Sequence, residues 1–351
     1  MTGNLIYIAH MLHLRTKSFI IGTPAVLFLL VGFGFWYVGH KTSERADLAA
    51  PIGELRIALS PTIDSAPIYV AQHNGYFENL GVEAILLPHE TGRQSLEDVL
   101  SDKADLATAS DVAFVMKSFK NPGLRVLSTL EDDYVVDLIA RKDRSIEVPE
   151  DLKGKRIGVV KGGSSEFFLT VFLAKNGLTT SDVRLVSMLP GDMEKALERD
   201  VVDAVSIWDP YAFSVQGSLG ENAVRWSTKD EQPLFFLLVS SEKTLKLRAK
   251  IIERFLRAVT EAEVFIKTHP LEAKAIVEKE LVLDPSYSDA IWPDYAPRVA
   301  LPQELLLILE DEARWLVRGS STQKGAIPNY LNFLYFEGLE RVKPDSVTVI
   351  H

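Results

Sequence analysis

Two glycines and two serines follow a strand-like run that ends at Val160: Gly162, Gly163, Ser164 and Ser165. Glycine allows a ligand to approach the backbone closely, and the first N–H groups of the helix that follows can bind an anion. The Gly-Lys-Ser/Thr ending of a phosphate-binding P-loop is absent. We expect ligand contacts from Gly163, Ser164 and Ser165, and plain capping of the helix is the alternative interpretation.

A second polar turn follows the apolar run 55–59 and offers the side chains of Ser60, Thr62, Asp64 and Ser65. In open α/β sheets, ligands bind at the loops that leave the carboxyl ends of the strands. These four residues are therefore predicted to contact a ligand. Helix capping by Asp64 or Ser65 alone is the alternative.

Two further turns carry candidate contacts. Gly92 and Arg93 open a predicted helix, where free N–H groups and a bidentate guanidinium suit a carboxylate or sulfonate. A solvated arginine on a helix surface is the alternative for Arg93. Ser110 ends a short buried strand over 104–109 and is a candidate contact, whereas Asp111 is predicted to be the N-cap of the next helix.

A tryptophan and an acid, Trp208 and Asp209, follow the apolar strand pattern 204–207. Trp208 could stack on an apolar or aromatic part of a ligand, and Asp209 could accept a hydrogen bond from an amine. A buried, unpaired carboxylate repels a bare anion, so Asp209 favours a zwitterion, an amine or a neutral donor. The alternatives are that Trp208 packs between lobes and that Asp209 only begins the turn before Pro210.

Strand-like runs alternate with helical patterns from residue 55 onward, which predicts a parallel-rich α/β architecture. Two similar strand–loop–helix units predict two lobes, the first formed by 54–140 with 235–345 and the second by 141–234. A strand out over 135–141 and a strand back over 234–240 are expected to make two hinge crossings. Such lobes can close around a ligand.

The remainder of the chain after Glu242 is predicted to be almost purely helical. The predicted helices span 248–267, 271–280 and 302–318, and a short terminal segment spans 330–336. In the first of them the apolar residues recur on one side, which indicates an amphipathic helix with a solvated charged face.

An uncharged, apolar run over 18–39 is long enough to cross a hydrocarbon core of ~30 Å. Arg15 and Lys17 precede it, so residues 1–17 are expected to stay cytoplasmic. We predict a transmembrane signal-anchor helix over 18–39 and a linker over 40–53. A cleaved signal peptide is the alternative, although its apolar region would usually be shorter. The main domain would then lie in the periplasm or on the extracellular side of the inner membrane.

The composition excludes several classes of site. Cysteine is absent, so the chain has no disulfide, thiolate metal site or cysteine nucleophile. A net charge of −10 argues against nucleic-acid binding, which needs clustered Lys and Arg. The seven histidines show no convincing metal-ligand spacing, and no nucleophile-elbow motif is present. We therefore expect no cofactor, no metal and no catalytic residue.

Three segments of the chain resemble a known family. They are SAPIYVAQ, GYF and LGVE, in that order, over 65–83, VKGGSSEF over 160–167 and WDPY over 208–211. The chain is similar to the solute-binding proteins of ABC importers for nitrate, sulfonates, taurine and thiamine-pyrimidine precursors, over roughly residues 54–300. The resemblance implies the type II periplasmic-binding-protein fold and a small-molecule ligand between two lobes. It also implies a membrane permease with its ATPase as partners, and we expect the protein to be a monomer.

Two other classes of function stay open from the sequence. The first is a periplasmic enzyme on the same fold, acting through Asp209 and Asp64. The second is a membrane-tethered ligand sensor with a degenerate cleft, although no kinase, cyclase or DNA-binding segment is present to carry a signal.

Overall fold

The computed structural model describes residues 53–132, 135–227, 234–319 and 326–351. They belong to one compact unit, Pro51–His351. The predicted cytoplasmic segment, the predicted membrane helix and almost all of the predicted linker lie outside the described residues. Within the described ranges, no helix combines the length and apolar character needed to cross a membrane.

Strands and helices alternate through the first part of the chain, as the hydrophobic pattern predicts. The strands are apolar on both sides because helices cover both faces of the sheet that they form. In β1, for example, Leu55, Ile57, Ala58 and Leu59 are all fully buried. The elements are β1 Gly53–Leu59, α1 Ala66–His73, α2 Tyr76–Asn79, β2 Val82–Pro88, α3 Gly92–Leu100, β3 Leu106–Ser110, α4 Asp111–Ser118 and β4 Leu124–Glu131.

The second part repeats this alternation and ends with a strand that returns to the first sheet. Its elements are β5 Val136–Arg141, β6 Arg156–Val159, α5 Ser164–Lys175, β7 Arg184–Ser187, α6 Met193–Glu198, β8 Ala204–Trp208, α7 Tyr211–Leu219, β9 Ala223–Ser227 and β10 Phe236–Ser241.

The two sheets have matching strand orders, β2-β1-β3-β10-β4 and β7-β6-β8-β5-β9. In each sheet the fourth strand runs antiparallel to both neighbours. The predicted return strand pairs in the first sheet as expected. The predicted boundary after residue 140 is too late, however, because β5 pairs only with β8 and β9 of the second sheet. The chain therefore changes sheets between β4 and β5, and again between β9 and β10.

An arginine–aspartate clamp occurs at the same place in each sheet. Arg56 at the start of the first lobe donates to Asp105 from its backbone N (2.9 Å) and its Nε (3.3 Å). Arg156 donates to Asp203 in the same way, at 2.9 and 3.1 Å. The clamps join β1 to the entry of β3 in the first sheet and β6 to the entry of β8 in the second. The two lobes are therefore structural repeats, which the similar sequence patterns only suggest.

Helices dominate the described residues after β10 and pack mainly on helices of the first lobe and on one another. They are α8 Glu242–Thr268, α9 Pro270–Leu281, α10 Pro285–Ile291, α11 Gln303–Gly319 and α12 Phe336–Val342. The predicted amphipathic helix is confirmed within α8, where Phe255 stacks on Phe77 of α2 at 4.9 Å between ring centroids. Trp315 of α11 reaches the second lobe and contacts Phe167 of α5, with the ring centroids 4.8 Å apart.

Candidate functional site

A small cavity lies between the carboxyl ends of strands from both sheets. We call it the cleft cavity. It combines the loops after β1, β2 and β3 of the first lobe with those after β6 and β8 of the second. Nine of the residues predicted from the sequence line it: Ser60, Thr62, Asp64, Gly92, Arg93, Ser110, Gly163, Ser164 and Trp208. Thr91, Ala113, Val160 and Phe236 also line it and were missed.

The turn after β1 is held by its own hydrogen bonds. The hydroxyl of Thr62 donates to Asp64 at 2.6 Å, and the backbone N–H of Ser60 donates to the Thr108 hydroxyl at 3.2 Å. Ser65 donates to the carbonyl of Ser60 at 2.9 Å and is fully buried. Ser65 is not among the residues that line the cleft cavity, and its hydroxyl fixes the turn that presents Ser60 and Thr62.

Ser165 has the equivalent role in the second lobe and is likewise not among the lining residues. Its hydroxyl accepts from the N–H of Val160 at 3.1 Å and donates to the carbonyl of Ser206 at 2.5 Å. Ser206 returns a hydrogen bond to the carbonyl of Ser165 at 2.8 Å. The pair fixes the start of α5 against β8. The N-cap of α5 is Gly163, which has no capping side chain, so this helix start is open toward an anion in the cavity.

At the start of α3, Thr91 caps the helix in a capping box with Gln94. Gly92 is required for packing, because a Cβ there would lie 2.6 Å from the Cα of Ala109. A guanidinium nitrogen of Arg93 lies 3.2 Å from a carboxylate oxygen of Glu97. This ion pair agrees with the alternative prediction that Arg93 is a solvated arginine on the helix surface. The Nε of Arg93 is nevertheless buried and has no hydrogen-bond partner within the described chain, so this donor is available to a ligand.

Ser110, not Asp111, is the N-cap of α4, so the prediction for Asp111 was wrong. The Ser110 hydroxyl accepts from the N–H of Ala113 at 3.3 Å. The Asp111 carboxylate is fully buried and accepts from the N–H groups of Val112 and Phe235, each at 2.7 Å. It thus connects α4 to the segment that returns from the second lobe.

Asp209 does not line the cleft cavity but a second, roomier cavity, which we call the acidic compartment. Asp64 lines both, so the two cavities adjoin. The walls come from both lobes and from α10 with the residues that follow it. The lining residues are Ile63, Asp64, Glu131, Val135, Asp209, Arg225, Tyr287, Ala290, Ile291, Asp294 and Tyr295.

The Asp209 carboxylate accepts from the N–H of Phe213 at 3.0 Å, which supports its predicted role at the turn before α7. Burial and the negative charge of Asp137 raise the pKa of Asp209 to about 6, although Arg225 opposes this. Arg225 itself donates to the fully buried Asp137 at 2.8 Å and to Gln216 at 2.9 Å. Its charge is therefore largely balanced by Asp137.

Asp64 belongs to the same electrostatic group. Burial raises the pKa of its carboxyl, whereas hydrogen bonds from Glu131 and Thr62 lower it. Carboxyl groups this close together share protons, because two buried negative charges repel each other strongly.

Tyr287 of α10 completes this wall and is the residue that sequence reasoning missed most clearly. It is 1% exposed, and its hydroxyl has no hydrogen-bond partner within the described chain. Its ring lies edge-on to Phe213 of the second lobe, with 5.4 Å between centroids. A signal for α10 was present in the sequence: Asp284 as N-cap followed by Pro285 at the first helical position.

Histidine, aspartate and glutamate side chains form no group of three suited to a metal ion anywhere in the ranges that the structure describes. The polar groups facing the two cavities are hydroxyl, carboxylate, guanidinium and backbone N–H groups. This set suits the reversible binding of a polar organic molecule.

Comparison with known proteins places this geometry among solute-binding proteins. A Bacillus subtilis (strain 168) protein named as an aliphatic sulfonates-binding protein is 26% identical over 263 residues, 73% of this chain and 76% of that protein. The alkanesulfonate-binding protein SsuA from Xanthomonas axonopodis pv. citri, solved bound to MOPS, superposes with a TM-score of 0.72. That likeness covers 82% of this chain and 99% of the other at 18% identity, and shows the two-lobe periplasmic-binding-protein fold.

An enzyme is also among the relatives. The 4-amino-5-hydroxymethyl-2-methylpyrimidine phosphate synthase of Aspergillus parasiticus is 23% identical over 221 residues, 59% of this chain and 64% of that protein. Residues 62–273 match the family described as NMT1/THI5 like. Both kinds of relative are consistent with this match. Because that match takes in more than half of the chain, the protein belongs to the NMT1/THI5-like family.

Proposed function

We propose that the protein is an extracytoplasmic solute-binding component of an ABC importer. It captures one small organic solute between its lobes and delivers it to a membrane permease. The observation that carries this proposal is the cleft cavity, where polar groups at the strand ends of both lobes meet. A molecule bound there contacts both lobes at once, so binding favours the closed arrangement.

The groups in the cleft cavity are suited to the acidic end of such a solute. The starts of α3 and α5 meet there, and Arg93 adds a buried guanidinium donor. Helix N-termini and arginine both favour a sulfonate or carboxylate. The name of the Bacillus subtilis relative supports an aliphatic sulfonate, and taurine-like or pyrimidine-like solutes are the other members of the proposed class.

We further propose that the protein performs no chemistry on its solute. The chain has no cysteine and hence no thiol nucleophile. Asp209 and Asp64, the acids considered for catalysis, accept hydrogen bonds from the chain itself, from the Phe213 N–H and the Thr62 hydroxyl. The name of the Aspergillus parasiticus relative keeps an enzyme as the second candidate. Turnover of a bound solute that is lost in Asp209→Asn would favour that candidate.

The proposed location follows from the uncharged segment 18–39, which would hold the domain at the outer face of the inner membrane. The proposed partners are a permease and its ATPase, with the protein acting as a monomer. Alkaline washing of membranes tests the anchor: the full chain should stay in the pellet, whereas the chain without residues 1–50 should not. Release of both forms would contradict it.

A thermal-unfolding screen of the full chain tests the binding role. The panel would contain aliphatic sulfonates, taurine, nitrate, pyrimidines, amines and carboxylates. A true ligand at about 100 times its Kd stabilises the folded state by about 2.7 kcal/mol, a clear shift in Tm. If no solute of the panel raises the Tm, the proposal is contradicted. If a solute other than a sulfonate raises it, the solute-binding role stands and the proposed solute class changes.

A further inference from the structure

The acidic compartment differs in charge from the cleft cavity beside it. Glu131 and Asp209 line it in addition to Asp64, which the two cavities share, and Arg225, the cationic residue of its wall, is bound to Asp137. A bare anion placed there would meet carboxylates at short range, which is unfavourable in a partly buried site. The compartment therefore favours a positively charged group.

A second observation, independent of the acids, points to a ligand. Tyr287 lines the compartment, and its buried hydroxyl has no hydrogen-bond partner within the described chain. An unpartnered buried hydroxyl is costly, so a group that satisfies it on binding gains free energy. The Tyr295 hydroxyl is also shielded without such a partner. A phenolic oxygen can accept from an ammonium, and a tyrosine ring can attract a cation.

The carboxylate of Asp209 can receive the same group. Its Oδ1 accepts from the N–H of Phe213, and a carboxylate has a second oxygen that can accept from an amine. Asp209 also lines a third, open groove that includes Arg225, Ile291 and Asp294, residues shared with the acidic compartment. The cleft cavity, the compartment and the groove thus adjoin in series, which leaves length for an extended molecule.

We infer that the acidic compartment binds the protonated amine of an extended organic ligand whose other end lies in the cleft cavity. Asp209 accepts from the amine, with the Tyr287 hydroxyl as a second acceptor. This inference rests on the proposed solute-binding function and specifies the charge of the solute: it carries a cationic group and is not a simple alkyl sulfonate.

Three compounds with one carbon skeleton test the inference: pentane-1-sulfonate, 5-aminopentane-1-sulfonate and pentan-1-amine. Their affinities for the full chain would be measured by calorimetric titration at pH 7, where a primary amine is protonated. The aminosulfonate should bind about tenfold or more tightly than the sulfonate without an amine, because one buried charge pair is worth at least this much.

Two conservative variants assign the effect to the compartment. In Asp209→Asn the preference for the aminosulfonate should fall to about threefold or less, while asparagine can still accept the Phe213 N–H. Tyr287→Phe should reduce the preference by about threefold without a change of charge. Glu198→Gln, which removes an exposed acid of the same lobe, should leave it unchanged.

Several outcomes would overturn the inference. Equal affinities for the sulfonate with and without the amine would do so while leaving a sulfonate-binding function intact. An amine preference that persists in Asp209→Asn would place the amine elsewhere. Absence of binding by all three compounds would also overturn it, and the broader thermal screen would then decide the proposed function separately.

Discussion

The carboxyl groups of Asp111 and Glu312 lie close together in the fully buried contact between α4 and α11. Asp111 accepts two backbone N–H groups, whereas neither oxygen of Glu312 meets a donor within the described chain. Burial raises the pKa of both carboxyls, and the charge of Asp111 raises that of Glu312 well above its ordinary value. Glu312 therefore carries the proton of the pair.

This pair predicts that Glu312→Gln stabilises the protein at pH 7. A group whose pKa is raised on folding contributes stability below its ordinary pKa, and that contribution is lost as the pH rises through the folded pKa. Glutamine is neutral at every pH and can donate to Asp111. Urea unfolding at pH 7 should show a gain of about 1–3 kcal/mol.

The gain should shrink as the pH falls toward the ordinary pKa of glutamate, because wild-type Glu312 is then protonated in both states. Glu304→Gln, on the exposed side of the same helix, is the matched control and should show no comparable pH-dependent gain. A gain in Glu312→Gln that is the same at all pH values would contradict the assigned protonation.

The neighbouring serines at the start of α5 should separate stability from binding. Ser165→Ala leaves the buried N–H of Val160 unpaired and should cost about 1–3 kcal/mol of unfolding free energy. Ser164→Ala removes a hydroxyl that lines the cleft cavity, so it should weaken ligand binding. Chemical unfolding and titration with the screen's strongest ligand measure both effects. Loss of binding in Ser165→Ala with unchanged stability would reverse the two roles.

Two glycines of the cleft cavity should respond differently to a methyl group. In Gly92→Ala the new Cβ would lie 2.6 Å from the Cα of Ala109, a backbone atom that cannot easily move. We expect a loss of about 1–3 kcal/mol in unfolding free energy. At Gly163 the nearest atom is the carbonyl oxygen of Val160 at 3.8 Å, so Gly163→Ala should change stability by about 1 kcal/mol or less. Equal losses in thermal unfolding would contradict this packing.

Much of the fold could be predicted from hydrophobic periodicity. The alternating patterns located most strands of both lobes and the return strand, because buried strands are apolar over their whole length. They missed β9, whose residues are partly exposed. The place where the chain changes lobes could not be predicted correctly. The sequence of β5 is apolar whichever sheet it joins, and only pairing with β8 and β9 decides its lobe.

The cleft cavity was predictable for a similar reason: its residues follow strand ends, and strand ends meet at one edge of a sheet. What failed was the direction of individual side chains. Ser65 and Ser165 differ from their lining neighbours by one position, and backbone hydrogen bonds decide which hydroxyl faces the cavity. The wall formed by Tyr287 depends on a distant helix that folds back to the second lobe, a long-range contact that no local pattern encodes.

Titration of a Gly163→Phe variant with the strongest ligand of the thermal screen tests the central claim most directly. Gly163 is buried at the cleft cavity with extended backbone and no close neighbour, so an added ring would occupy ligand space. Gly191→Phe is the control, because Gly191 is exposed and no atom lies within 4 Å of its added Cβ. The account predicts one site per chain in the wild type and in Gly191→Phe, and no binding to folded Gly163→Phe. Undiminished binding to that variant would show that the solute lies elsewhere.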